Sequence, residues 1–385
     1  MYTAVDSEFM ALALRLAEQG LYSTSPNPRV GCVLVNDGRV VGTGWHQSAG
    51  EPHAEVYALR EAGATARGAT AYVTLEPCSH HGRTPPCADG LIAAGVSRVL
   101  VAMQDPNPLV SGKGIEKLSA ASIVVECGLM EAQAHELNIG FVTRMTRGMP
   151  YVRSKVGMSL DGRTALNNGM SQWITGQEAR RDVQHWRARS CAVLSGINTV
   201  LADDAQLNVR DIETTRQPLR VVLDSSLRMP LNARILAGGS ERVAAEPPGT
   251  PRRPPCGGGV LIYTASDDAD KIAALVSAGV TVCVTPDIYG KVDLVAMLRD
   301  LAQRGINEVL VEAGSVLNGA LLQAGLIDEV LFYIAPQLLG DMARGVAGLG
   351  VLTQLDQRIE LQWQDVRQVG NDLRVLAKVK RKSHV

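Results

Sequence analysis

The chain has 385 residues, 46% of them hydrophobic and 20% charged, with a formal net charge of -1. That balance fits soluble globular protein of two or three domains and supplies no bulk field to draw in nucleic acid or an anionic membrane. Seven cysteines, an odd number thinly spread, argue against a disulfide framework and for a reducing, cytoplasmic setting. The opening MYTAVDSEFMALALRLAEQG has an early acid and helical periodicity rather than a secretory signal, and no apolar run reaches the roughly 18 residues that span a bilayer.

In chain order, the first expected element is a helix with Asp6 or Ser7 as cap, Phe9, Leu12, Ala13 and Leu16 on one face, and Gly20 as terminator. Two apolar runs around Asn36-Asp37-Gly38 predict a hairpin, because that turn needs positive φ. PHAEVYALREAG predicts a helix opened by Pro52. Strands ATAYVTL and SRVLVAM, with KLSAASIVVECG as a helix end plus strand, alternate with helices ADGLIAAGV and MEAQAHELN, which indicates an α/β sandwich with a mainly parallel sheet beyond the opening hairpin. This unit closes near residue 145. A second unit starts at PYVRSKVGMSLDGRTA and alternates again, with strands CAVLSG, LRVVLD, VLIYT, VTVCVT, NEVLVEAG and EVLFYIAP. Its helices are GQEARRDVQHWRAR, DADKIAALVSAG and DLVAMLRDLAQRG, the first opened by a Thr175/Glu178 capping box. Residues 238–259 are rich in Gly, Pro and Arg and read as a mobile surface insertion. Cys32, Cys127, Cys191 and Cys283 sit in apolar contexts and read as small buried hydrophobes, whereas Cys256 reads as exposed.

The chemistry concentrates in PHAEV and TLEPCSHHGRTPPCADG. His53, Cys78 and Cys87 offer one nitrogen and two sulfurs, a set that suits zinc, and three protein ligands leave a tetrahedral position for water. Glu55 is then placed to take that water's proton and deliver it to a leaving amine. Residues i and i+2 do not share a helix face, so the pairing requires His53 in the first helical turn. A closed four-ligand site using His80 or His81 would leave the HAE triplet unexplained. The H-x-E…P-C pattern is a zinc-deaminase signature, but eight residues separate the cysteines here instead of two.

That long form, PCSHHGRTPPC at 77–87, together with PNPRVG at 26–31 and DPNPLVSGKG at 105–114, resembles the deaminase domain of riboflavin biosynthesis. SLDGRTA, SQWITG and VLADDAQLNVR resemble the reductase fused to it, so the resemblance covers nearly the whole chain. It implies a cytidine-deaminase-like α/β/α sandwich over 1–147, then a dihydrofolate-reductase-like α/β domain over 148–385. It further implies hydrolytic deamination of a phosphoribosylaminopyrimidine, then reduction of its ribose. The cofactors would be one Zn2+ per chain and NADPH, the partners small phosphorylated pyrimidines, and the assembly a homo-oligomer, dimer or tetramer.

By the same resemblance Asn27, His46, His80, Arg83 and Lys113 face the deaminase substrate, the last three its phosphate. In the second unit Gly157, Trp173, Thr199, Asp203, Gly314 and Ser315 are matched to the cofactor, Thr199 and Asp203 on its nicotinamide side. Lys155, Ser171, Arg187, Leu207, Arg210 and Glu312 are matched to the reductase substrate, with the arginines suited to phosphate and Glu312 to hydroxyls. The competing reading is a tRNA-type nucleic-acid deaminase fused to an unrelated domain. That reading predicts basic patches with interleaved aromatics, yet aromatics are 4% of the chain. A zinc-stabilised binding module is the third class.

Overall fold

The computed structural model describes residues 2–79, 86–108, 110–237 and 258–381. The chain divides into two compact units, Met1–Gly148 and Met149–Val385.

The first unit contains α1 (Ala4–Glu18), β1 (Gly31–Asn36), β2 (Arg39–Trp45), α2 (Ala54–Ala62), β3 (Thr70–Val73), α3 (Cys87–Ala94), β4 (Arg98–Val101), α4 (Lys113–Ala120), β5 (Val124–Cys127), α5 (Glu131–Leu137) and α6 (Ile139–Arg147). Its sheet runs β2-β1-β3-β4-β5, antiparallel through the first three strands and parallel through the last three. Asp37 and Gly38 take φ of 50° and 72°, the two positive values that a tight hairpin turn requires. Side chains alternate across the pleat. Cys32, Leu34, Ala71, Val73, Val99 and Val101 pack on one face with Ala58, Leu91 and Leu118 of α2, α3 and α4. Val33, Val35, Tyr72 and Leu100 pack on the other with Met10, Leu14, Ala134 and Val142 of α1, α5 and α6. The result is a three-layer α/β/α sandwich. A Cβ on Gly44 would stand 2.2 Å from the Ala54 carbonyl oxygen, so the bare backbone of β2 lets the start of α2 lie directly on the sheet.

The second unit contains β6 (Tyr151–Ser159), β7 (Arg163–Ala165), α7 (Gln177–Arg189), β8 (Ala192–Gly196), α8 (Ile197–Asp203), β9 (Leu219–Leu223), β10 (Val260–Thr264), α9 (Ala269–Ser277), β11 (Thr281–Val284), α10 (Leu294–Gln303), β12 (Glu308–Val311), α11 (Ser315–Gln323), β13 (Glu329–Ala335), β14 (Arg344–Gly345), β15 (Leu361–Val369) and β16 (Asp372–Val379). The main sheet runs β11-β10-β9-β8-β12-β6-β13-β16-β15. It is parallel from β11 to β13 and antiparallel beyond. From β8 the chain winds outward through β9 and β10 to β11, then returns across β8 to lay down β12. The seam between β8 and β12 is therefore a topological switch point, where open α/β sheets form a crevice at the carboxyl ends of their strands. The short β7 and β14 pair separately.

Several sequence expectations change. The cap of α1 is Thr3, and Asp6 is its capping-box partner three residues on. Residue His53, not Pro52, borders α2 as its N-cap. No Thr175/Glu178 box forms, because α7 is capped by Gly176, whose N–H bonds the Asp372 carboxylate at 2.7 Å. Cys32 and Cys191 are buried and Cys283 half-buried, but Cys127 is exposed because β5 is an edge strand. The β15–β16 hairpin was not foreseen. Cys256 and residues 238–257 of the expected insertion lie outside the described residues. Among the described residues no helix is long and apolar enough to cross a membrane.

Candidate active sites

His53, Cys78 and Cys87 come together where α2 and α3 begin. The chain at His53 is extended (φ -73°, ψ 164°) before it turns into α2. That break lets His53 and Glu55 converge although they are only two residues apart. Cys87 is the first residue of α3, after an extended Pro86. Both sulfurs and the imidazole therefore meet helix N-termini, whose positive ends favour thiolate. Cys78 is fixed from below: its Sγ accepts the Cys87 N–H at 3.3 Å and its carbonyl accepts the Ala88 N–H at 3.1 Å.

The three ligand atoms lie within 4.8 Å of one another. Tetrahedral zinc, with Zn–N of about 2.0 Å and Zn–S of about 2.3 Å, demands an N···S edge of roughly 3.5 Å. His53 Nδ1 stands 3.3 Å from Cys87 Sγ and 3.6 Å from Cys78 Sγ, so the cage fits the ion. A hydrogen bond from the Cys87 thiol holds Cys78 down to about 4, while the same bond pushes Cys87 up. Glu55 is buried beside them, and its Oε2 has no hydrogen-bond partner among the described residues. Burial pushes its carboxyl above the usual range.

His46 and Asn27 form the neighbouring wall. The His46 Nδ1 lies 3.1 Å from the Pro52 carbonyl, which can only accept, so Nδ1 carries the proton. Its Nε2 then accepts from Asn27 Nδ2 at 3.0 Å, which leaves Asn27 Oδ1 as an acceptor. Burial lowers the His46 pKa, so the ring stays neutral. Lys113 opens α4 and is exposed. His80 and Arg83 lie outside the described residues.

Sequence reasoning missed Glu76, which builds the loop that presents Lys113. Its buried carboxylate accepts the N–H groups of Asp105, Gly112, Gly114 and Ile115 at 2.8–3.3 Å. The available signal was an acid at a strand end facing a Gly-rich loop with unpaired amides. Replacing Glu76 by Ala should cost more than about 3 kcal/mol, since each amide left without an acceptor costs about 1–3 kcal/mol. Urea unfolding of the variant checks this, and an unchanged midpoint would contradict it.

The second unit holds a cleft of about 1600 Å³ along the switch point. That exceeds the about 300–1,000 Å³ of a site for one small molecule and suits two ligands side by side. All twelve residues matched to substrate and cofactor line it. Lys155 and Gly157 come from β6. Thr199 and Asp203 come from α8, and burial raises the Asp203 carboxyl. Ser171 and Trp173 stand at the rim, with the Arg180 guanidinium 4.3 Å above the indole. Leu207, buried and with φ of 54°, also lines the cleft. Gly314 caps α11, and a Cβ there would meet nothing within 4 Å, which leaves the N–H groups of the helix start open.

Glu312 and Arg187 are paired with each other. Arg187 donates from Nε to Glu312 Oε1 at 2.5 Å and from its terminal nitrogen to Oε2 at 3.0 Å. A third bond goes to the Asn208 carbonyl, and Lys155 Nζ reaches Glu312 at 3.1 Å. Arg187 is thus committed inside the protein. Among the described residues the Arg210 side chain, at the cleft, has only a 4.0 Å contact to Asp211 and a 3.4 Å bond to Asn208, and its backbone is held by Gln184.

Comparison with known proteins agrees with both halves. Residues 3–103 match the cytidine and deoxycytidylate deaminase zinc-binding region, and residues 150–375 match the RibD C-terminal domain. The riboflavin biosynthesis protein RibD of Escherichia coli K12 is 49% identical over 96% of this chain and 98% of its own. That of Aquifex aeolicus is 39% identical over 98% and 99%. A solved structure of Acinetobacter baumannii RibD superposes with a TM-score of 0.86 at 46% identity, covering 98% of this chain and 99% of its own. The Thermotoga maritima diaminohydroxyphosphoribosylaminopyrimidine deaminase/5-amino-6-(5-phosphoribosylamino)uracil reductase gives 0.83 at 33% identity over the same shares. A nucleic-acid deaminase joined to an unrelated domain is not favoured by matches that span both units. The chain therefore belongs to the RibD family of riboflavin biosynthesis, enzymes that join a zinc-dependent deaminase to an NADPH-dependent reductase.

Proposed function

We propose that the first unit deaminates 2,5-diamino-6-(5-phosphoribosylamino)pyrimidin-4(3H)-one. The second unit then reduces the ribose of 5-amino-6-(5-phosphoribosylamino)uracil to a ribityl chain. The name of the Thermotoga maritima relative supports the substrates. The observation that carries the deaminase half is the orphaned Glu55 Oε2 beside a three-ligand cage.

Lewis acidity towards water is the chemistry a zinc ion held by His53, Cys78 and Cys87 contributes. Glu55 takes a proton at Oε2 as water adds to the ring carbon, then returns it to the amino nitrogen, and the C–N bond breaks to release ammonia. Asn27, oriented by neutral His46, accepts a ring N–H at Oδ1. Lys113, with Arg83 and His80, supplies positive charge for the substrate phosphate.

In the cleft, hydride donation is the chemistry NADPH contributes. Gly314 and Ser315 offer backbone N–H groups to its pyrophosphate, and Trp173, Gly157, Thr199 and Asp203 form the walls around it. Lys155, pinned by Glu312, gives a fixed N–H donor for a ribose oxygen, and Ser171 and Leu207 border the same space. Arg210 holds the substrate phosphate, while Arg187 keeps Glu312 in place. Self-association is also part of this reading: β15 is an edge strand that exposes Trp363 and Val366.

Two measurements test the proposal. Wild type should carry about one zinc per chain and Cys87→Ser far less, since a structural or catalytic zinc needs its full ligand set. NADPH oxidation should depend on adding the deaminated pyrimidine, and oxidation without it, or none with it, would sink the reductase assignment.

A further inference from the structure

Trp173 is 65% exposed, yet the segment that carries it is held firmly. Residues 171–176 belong to no strand or helix, so their main-chain groups need partners from elsewhere. Three consecutive residues have them. The Ile174 carbonyl accepts from Gln337 Nε2 at 2.9 Å, and the Thr175 carbonyl accepts from Arg180 Nη1 at 2.6 Å. The Gly176 N–H donates to the carboxylate of Asp372, itself buried, at 2.7 Å. Gly370, in the turn between β15 and β16, has φ of 59°, and a Cβ there would stand 2.8 Å from Glu178 Oε2. The start of α7 therefore lies directly on that turn, and the base of the segment is fixed without any help from the indole.

Arg180 is the fourth residue of α7, close to the positive end of the helix dipole, where an acid such as Glu178 is the favoured charge. It makes no ion pair among the described residues. Its side chain leans back towards the helix start, as helical side chains do, and so reaches the segment before Gly176. There the guanidinium covers the Trp173 ring at 4.3 Å while Nη1 holds the Thr175 carbonyl. Arginine suits this double contact, because its planar guanidinium stacks on an indole and still offers N–H groups at its edge. Both side chains line the cleft. A tryptophan this exposed has little else around it to fix its two side-chain torsions. Fixing them only when a ligand arrives costs affinity, and a ring held beforehand avoids that cost.

We propose that Arg180 is a positioning residue, which acts on NADPH through Trp173 by holding the indole as a preset wall of the cleft. This rests on the reading of Trp173 as part of the cofactor site. Arg180 is then not a phosphate ligand, although it is a cation beside a site for a phosphorylated cofactor.

The test is a double-mutant cycle of Arg180→Ala and Trp173→Ala, read as dissociation constants of NADPH for the full-length chain by titration calorimetry. Arg180→Ala alone should weaken NADPH about 3- to 30-fold, the range of a cation–π contact. In the Trp173→Ala background the same change should cost less than about twofold, the limit for independent sites. Arg180→Lys keeps a cation over the ring and loses the planar stack, so its affinity should fall between wild type and Arg180→Ala. Equal losses from Arg180→Ala in both backgrounds would show that Arg180 meets the cofactor itself or merely props α7, and would overturn the positioning role. So would an unchanged affinity in Arg180→Ala beside a loss in Trp173→Ala. Either result leaves Trp173 in the cofactor site. Unchanged affinity in Trp173→Ala would remove Trp173 from that site and the proposal with it.

Discussion

Glu55→Gln should lower ammonia release about 10²- to 10⁴-fold, the usual contribution of a positioned general acid or base. Bound zinc and substrate-dependent NADPH oxidation should stay at wild-type levels. The substitution is isosteric, and Glu55 Oε2 gives up no protein hydrogen bond, so little packing is lost. What disappears is the capacity to hold a proton between water and the departing amine. His53, Cys78 and Cys87 are untouched, which separates this variant from Cys87→Ser, where metal and activity fall together. Ammonia release at the wild-type rate by zinc-loaded protein would remove Glu55 from the reaction.

Glu312→Gln should destabilise the reductase unit by about 3–5 kcal/mol, the cost of breaking a buried ion pair from one side. Arg187 and Lys155 would then face a neutral amide, with the arginine almost wholly buried. Burial by itself would raise the Glu312 carboxyl, but Arg187 and Lys155 outweigh it and hold the group well below the usual carboxylate range. A depressed folded-state pKa stabilises the fold above the unfolded value of about 4.3 and loses that contribution as pH falls towards the folded value. The difference in unfolding free energy between wild type and variant should therefore be full at neutral pH and shrink below about pH 4. A difference that stays constant with pH would show that the triad carries no net charge stabilisation.

The metal centre was legible in the sequence because coordination chemistry fixes residue type, and its three ligands sit at element boundaries that local patterns reveal. The opening hairpin at Asn36-Asp37-Gly38 and the α/β layering of the first unit were legible from the turn and from alternation, whereas the strand order was not. What local patterns concealed were partners far along the chain. Thr175 and Glu178 have the spacing of a capping box, but Asp372 takes the amide at the helix start from 196 positions away. Arg187 and Glu312, both matched to substrate, bond each other across 125 positions. Cys127 lies in an apolar run like that of Cys32, and only the strand's place at the sheet edge exposes it.

The two bonds from the start of α3 back to Cys78 have a wider consequence. They clasp both ends of the segment between the cysteines, so the cage does not depend on what that segment contains or how long it is. Lengthening a loop whose ends are already joined costs little, about 0.6 kcal/mol for each doubling. Substitutions or insertions among the eight positions from 79 to 86 should therefore leave the zinc stoichiometry at its wild-type level.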